Sequence, residues 1–298
     1  MLNDSVLETI GNTPLIRLNA MSSGKVFAKA EHLNPGGSIK DRVAKYIIER
    51  AEEEGTLKPG MTIIEATSGN TGIGLTLVGV QKGYQVVCVM PENVSEERKK
   101  IIAVLDGEII FTAAQESLAG SIKKMREITE AQPDKYFVAN QFANPLNPEV
   151  HYRQTGPEIW DDLGGEIDIF VAGVGSGGTL QGIGTFFKQR KPDIKIVAVE
   201  PKNSAALLGR EPGLHQIHGI GDGFVPDVLD VNLVDMVFTV ADDEAIETTR
   251  RLSREEGLLV GTSSGANVCA ALHMDNGQNR VVTVLPDRAE RYFSTALL

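Results

Sequence analysis

IDIFVAGVGSGGTLQGIGTFFK, residues 167–188, followed by IKIVAVE at 194–200, is the stretch on which the fold turns. An apolar run rich in branched residues gives way to a glycine turn, then to helical spacing, then to a second apolar run. That succession describes a strand, a crossover helix and a second strand parallel to the first. The pattern extends in both directions. Strands are predicted at 61–66 (MTIIEA), 84–90 (YQVVCVM), 107–111 (GEIIF), 236–240 (MVFTV) and 280–285 (RVVTVL), with helices at 41–54, 96–105, 117–130, 148–162, 180–188 and 242–256. The fold class is α/β, with open, mostly parallel sheets covered by helices.

The chain has 298 residues, and single cores stop growing near about 250–300 residues, so two domains with a cleft between them are expected. ANQFANPLNPEV (139–150) crowds prolines and asparagines between a strand and a helix, which sets the boundary near 145. The domains are then 1–145 and 146–298, with roughly the first 35 residues free to pack on the second. A glycine- and proline-rich loop over 201–230 is long enough to be functional.

A net charge of -11 argues against a nucleic-acid surface, which needs clustered Lys and Arg, and points to small-molecule partners. No apolar run approaches the roughly 20 residues that span a bilayer. The start, MLNDSVLETIGNTP, lacks the basic and apolar regions of a signal peptide, so a cytoplasmic protein is expected. Cys88 and Cys269 lie in apolar runs and read as core. Of five histidines only His215 and His218 sit close together, with no Cys nearby, so no metal site is expected.

Four small-residue turns carry the chemistry. In Asn34-Pro-Gly-Gly-Ser-Ile-Lys40-Asp-Arg42, Ser38 and Asp41 make a capping-box-like start that places Lys40 in the first helical turn. The positive end of a helix disfavours an ammonium there and favours the neutral amine that a Schiff-base nucleophile requires. Thr67-Ser68-Gly69-Asn70-Thr71-Gly72 joins a strand to an apolar helix, and reads either as an anion site for a carboxylate or phosphate or as a turn made small for close packing. Gly173-Val-Gly175-Ser176-Gly177-Gly178-Thr179 is a second such turn. It suits a phosphate monoester, and through Gly173, Gly175 and Gly178, with Glu200 ending the next strand, it also fits the dinucleotide fingerprint. Gly261-Thr-Ser263-Ser-Gly265 opens another helix and by itself reads as an N-cap.

Taken in order and spacing, NPGGSIKDR, TSGNTG, GVGSGGT and GTSSGA resemble the cysteine synthase family of fold-type II pyridoxal-phosphate enzymes, whose fold is tryptophan synthase β-like. IGNTPLIRL, MPENVSEERK, NQFANPLNPE, TGPEIW, VAVEP, GIGDGF and PDRAERYFST extend the resemblance nearly end to end. It displaces the NAD reading. It implies pyridoxal 5'-phosphate as cofactor, joined to Lys40 as an internal aldimine, with Asn70 on its ring hydroxyl, the turn Gly175, Ser176, Gly177, Gly178 and Thr179 on its phosphate, and Ser263 at the pyridine nitrogen. Thr67, Ser68, Gly69, Thr71 and Gln141 would hold the substrate carboxylate, and Gly221 and Asp222 would lie beside the substrate. The implied reaction is β-replacement through an α-aminoacrylate, O-acetylserine plus hydrosulfide giving L-cysteine and acetate, in a homodimer that closes its smaller domain, around 90–130, over the substrate.

Two departures bear on the second substrate. Asp222, in GIGDGF, stands where many cysteine synthases carry alanine, and PDRAERYFSTALL resembles the B-type and cystathionine-forming branches. A β-synthase or lyase that makes cystathionine, lanthionine or hydrogen sulfide is therefore the nearest rival, and a catalytically silent regulator is a rival of another class. Relatives of the other type bind the tail of serine acetyltransferase in their active site, a partnership this ending gives no ground to extend here.

Overall fold

The structure, a computed structural model, describes residues 2–297. Its strands form two sheets. The first contains β3 (Thr62–Ala66), β4 (Gln85–Pro91), β5 (Glu108–Thr112) and β6 (Tyr136–Val138), all parallel and ordered β5-β4-β3-β6. The second contains β1 (Leu15–Arg17), β2 (Lys25–Lys29), β7 (Ile169–Gly173), β8 (Lys195–Pro201), β9 (Met236–Val240) and β10 (Arg280–Val284), ordered β1-β2-β10-β7-β8-β9. Only the β1–β2 pair among these strands is antiparallel. The first two strands thus join the sheet built mainly from the second half of the chain, and β2 lies directly against β10, Val26 opposite Val281.

Helices cover both faces of each sheet, so the strands are apolar on both sides. α1 (Lys40–Glu53) and α2 (Asn70–Gln81) share a core with Ile63, Val86 and Cys88 of the four-stranded sheet, and Met125 of α4 (Ser117–Ala131) packs on its other face with Ile64 and Val87. On the six-stranded sheet, α8 (Asp242–Glu255) and α9 (Thr262–Met274) take one face, while α7 (Gly178–Arg190) and α6 (Gly156–Asp162) take the other. α3 (Glu96–Val104) lies beside α2 and β5 and contacts the C-terminal segment.

The single helix expected over 148–162 is instead interrupted. A short α5 (Leu146–Val150) passes into a π-helical turn at His151–Thr155 before α6 begins. Pro157 supplies the reason, since it has no N–H to donate backward and its ring clashes with the preceding turn. The capping box expected at α1 is also absent. Ser38 Oγ accepts the Lys40 N–H at 3.2 Å, but the Asp41 carboxylate reaches back to the Gly36 N–H at 2.6 Å. The Pro-Gly-Gly turn folds beneath the helix, and at Gly36 a Cβ would lie 2.5 Å from Asp41, so only glycine lets the carboxylate in.

A buried charge cluster fixes the start of α1 to the six-stranded half. Arg42 pairs with Glu31 (Nε–Oε2 2.8 Å) and with Glu158 (Nη1–Oε1 2.6 Å), and Lys29 Nζ lies 2.9 Å from Glu158. The side chains of Arg42 and Glu31 are wholly buried. Removing one member strands the others without a counter-charge, so Arg42→Ala is expected to cost about 3–5 kcal/mol. Urea unfolding would show it as a lowered midpoint at unchanged slope.

Candidate active site

Each sheet has one place where the chain reverses its direction of travel across the strands, and open α/β sheets bind ligands in the crevice outside the strand ends at such points. In the six-stranded sheet the reversal lies between β7 and β10, in the four-stranded sheet between β3 and β6. The turns after all four strands line one cavity: Thr67 and Ser68 after β3, Gln141 and Phe142 after β6, Gly175 and Ser176 after β7, and Pro286 after β10. The fold brings the two switch points face to face.

Lys40 reaches this cavity from the first turn of α1. Its Nζ donates to Ser176 Oγ at 2.8 Å, bridging the two halves. Burial lowers its pKa to about 8, opposed by the charge of Asp222. Asp222 lines the same cavity with its side chain open to solvent, and desolvation by the surrounding protein raises its pKa against the pull of Lys40 and His215. Amine and carboxylate therefore bias each other's protonation. Asp222→Asn removes the anion that holds the Lys40 proton, so Lys40 titrates at lower pH. At pH 7, where the ammonium dominates, the rate at which Lys40 condenses with an added aldehyde such as pyridoxal phosphate is expected to rise severalfold, with the midpoint of its pH profile displaced toward acid.

The cavity also receives Asn70, Thr71, Gly177, Thr179 and Ser263. Thr71 Oγ1 donates to Gln141 Oε1 at 2.5 Å, closing one end. Asn70 Nδ2 donates to Asp287 at 2.6 Å, while Asn70 Oδ1 is buried without a partner among the described residues. Three expected residues stand just behind the lining. Gly69 lies under Arg98, where a Cβ would come 2.4 Å from the arginine Cδ; Gly178 abuts Asn147, at 2.0 Å; and Gly221 packs on Pro201, at 2.5 Å. Gly221 nevertheless holds its loop in place, its N–H donating to Val174 O at 2.9 Å.

Several participants lie in or beside segments that resemble the family, but no local pattern gives them a task. Arg98 lines the cavity and donates to Tyr292 OH at 3.0 Å, and Tyr292 in turn donates to Asp287. Asn147 Nδ2 joins Ser176 Oγ (3.0 Å) to the carbonyl of Gln141 (2.8 Å). His151, kept well toward neutral by burial, sits behind Thr179. These residues come from different helices and loops, and no spacing along the chain relates them.

A profile of the family described as pyridoxal-phosphate dependent enzyme matches residues 6–287. The chain belongs to that family. It is 47% identical over 301 residues to cysteine synthase A of Escherichia coli (strain K12), covering 97% of this chain and 93% of that one. The crystal structure of a cysteine synthase from Entamoeba histolytica superposes with TM-score 0.94 at 40% identity, over 100% of this chain and 91% of that one. That of an O-acetylserine dependent cystathionine beta-synthase from Helicobacter pylori gives 0.93 at 40%, over 100% and 99%. The fold is accordingly that of fold-type II pyridoxal-phosphate enzymes.

The residues present fit the family's cofactor. An amine whose pKa burial lowers to about 8 suits an aldehyde, and the Asn70 Oδ1, without a partner among the described residues, is available to a ring substituent. The glycine turn at the start of α7 is drawn so close to Gly219 that a Cβ on Gly175 would lie 2.3 Å from its carbonyl oxygen, leaving the helix N-terminus open to a phosphate. The dinucleotide reading fails on Glu200. Its carboxylate lies 2% exposed and accepts the Leu207 N–H, so it is spent inside the protein.

Proposed function

We propose that the protein replaces the β-substituent of O-acetylserine with hydrosulfide, releasing L-cysteine and acetate. The observation that carries this is the lysine amine, its pKa lowered to about 8, inside one cavity with two separate turns suited to anions. One turn suits a cofactor phosphate and the other an amino-acid carboxylate. Likeness to cysteine synthases over nearly the whole chain supports the same reading.

In this reading Lys40 carries the cofactor, Gly175, Ser176, Gly177, Gly178 and Thr179 take its phosphate, Asn70 its ring hydroxyl and Ser263 its pyridine nitrogen. Thr67, Ser68, Thr71 and Gln141, with the Gly69 backbone, take the substrate carboxylate. Pyridoxal phosphate, when bound, supplies the electron-withdrawing ring that acidifies the substrate Cα–H and lets the β-substituent depart. Lys40 Nζ removes the Cα proton and later returns one to the same carbon. Ser263, a neutral hydroxyl, stabilises ring charge less than a carboxylate would, which favours elimination over transamination. In the same reading the domains are 1–145 and 146–298, with β1 and β2 lodged in the second; the division into two sheets supports this, and closure of the smaller domain keeps water from the reacting carbon. A cytoplasmic homodimer is part of the proposal; light scattering on the purified protein tests its size.

Asp222 favours a second reading in which a larger thiol such as homocysteine replaces hydrosulfide, since a carboxylate in the cavity repels HS⁻ and can accept a thiol proton. Incubating the loaded protein with O-acetylserine and either sulfide or homocysteine, and with cysteine alone, ranks the readings. Cysteine should dominate in the sulfide mixture. Its absence there, with cystathionine or hydrogen sulfide formed in the others, replaces the first reading with the second.

A further inference from the structure

We infer that Glu65 is a positioning residue for the amino-acid substrate, fixing Gln141 against Thr71 through the backbone of residues 140 and 141. The inference deepens the proposed function and rests on its assignment of Gln141 to the substrate carboxylate.

Glu65 stands near the end of β3, where the β3–β6 pairing has just run out: the last registered pair is Ile64 with Val138. Beyond it the chain leaves the sheet, and Asn140 adopts φ +51°, a left-handed conformation uncommon outside glycine. The N–H groups of Asn140 and Gln141 have no strand opposite. Glu65 supplies both acceptors, Oε2 to Asn140 N at 2.7 Å and Oε1 to Gln141 N at 3.1 Å. With the backbone so pinned, the Gln141 side chain, 4% exposed, meets Thr71 at 2.5 Å. Its carbonyl is held from the opposite half by Asn147, which also bonds Ser176, the partner of Lys40. A hydrogen-bonded line therefore runs from Glu65 to the reactive amine.

The chemistry asks for a carboxylate at this point. Two converging N–H donors need two acceptor oxygens, and an amide of the same shape offers one, turning its NH₂ against the other donor. Glu65 is 2% exposed, and burial pushes its carboxyl up to about 7 while the two N–H groups pull it down. Among the described residues no lysine or arginine is bonded to it. A buried carboxylate met only by backbone donors costs more to desolvate than an apolar side chain, and what it obtains is the shape of the 140–141 turn.

The test uses the full-length, cofactor-loaded protein. In Glu65→Gln the KM for O-acetylserine should rise by about tenfold or more, with kcat and the KM for sulfide within about twofold and the bound-cofactor absorbance unchanged. In a Gln141→Ala background the same substitution should add less than about twofold, because its route of action is already gone. An unchanged KM for O-acetylserine in the folded, loaded variant, or an undiminished effect in the Gln141→Ala background, overturns the inference. Should Glu65→Gln not fold, Glu65→Asp, which keeps the charge but withdraws it by one methylene, takes its place under the same criteria. If the wild-type protein does not turn over O-acetylserine, the proposed function fails but this inference is still decided. L-alanine, which has no leaving group, is then titrated by cofactor absorbance and by thermal midpoint, and should bind about tenfold more weakly to the variant.

Discussion

Lys40→Ala is expected to yield a folded protein that carries no covalently attached pyridoxal phosphate and turns over O-acetylserine about 10³-fold more slowly or worse, since nucleophile and general base are lost together. The side chain ends in the cavity with Ser176 as its hydrogen-bond partner, so the truncation opens space; Asp222 loses its cationic neighbour but is open to solvent. Thermal stability of the apoprotein should change little. Reduction with borohydride followed by denaturation distinguishes covalent from loosely bound cofactor. Retention of the covalent adduct in Lys40→Ala would remove the basis for the proposed chemistry.

Gly175→Ala carries the second-largest expected effect. The added methyl would meet the carbonyl oxygen of Gly219 at 2.3 Å and its carbon at 3.3 Å, both backbone atoms that cannot rotate away. Either the turn before α7 or the strip at 219–220 must move, and both line the cavity. Such overpacking costs about 1–3 kcal/mol in stability. Its main consequence falls on the proposed phosphate cradle: affinity of the apoprotein for pyridoxal phosphate should drop by about 100-fold or more, because N–H groups aimed at an anion lose strength quickly with misalignment. Gly257→Ala is the control. Gly257 has the more demanding backbone, φ +72° where Gly175 has no positive φ, but no described atom lies within 4 Å of where its methyl would stand, so it should lose stability and no cofactor affinity.

What is legible in the sequence follows from which forces leave a local trace. β3, β4, β7 and β8 are buried on both faces and read as mainly apolar runs, and the turns after β3 and β7 must be small because other parts of the chain approach their backbone closely. Those turns contain Thr67, Ser68, Asn70, Thr71, Gly175, Ser176 and Thr179, and all of them meet Lys40 in the cavity. β1, β2 and β6 lack such a trace for a different reason. Two are three residues long, and β2 carries a lysine at its buried end, Lys29, whose charge is matched by Glu158 more than a hundred residues away. Arg98, Asn147, Asp287 and Glu65 are illegible on the same ground. Each acts by a contact across the fold, so its own neighbours in the chain say nothing of its task.

The pairing of β2 with β10 has a consequence for biosynthesis. Every strand of the four-stranded sheet lies within residues 62–138 and can assemble as soon as that stretch leaves the ribosome. β2, by contrast, waits for a neighbour that begins at Arg280. At about 5–20 residues per second of synthesis, roughly ten to fifty seconds separate the emergence of the two strands. Throughout that interval VFAK presents an unpaired edge, so a nascent chain stalled before Arg280 is the form of this protein most in need of a chaperone.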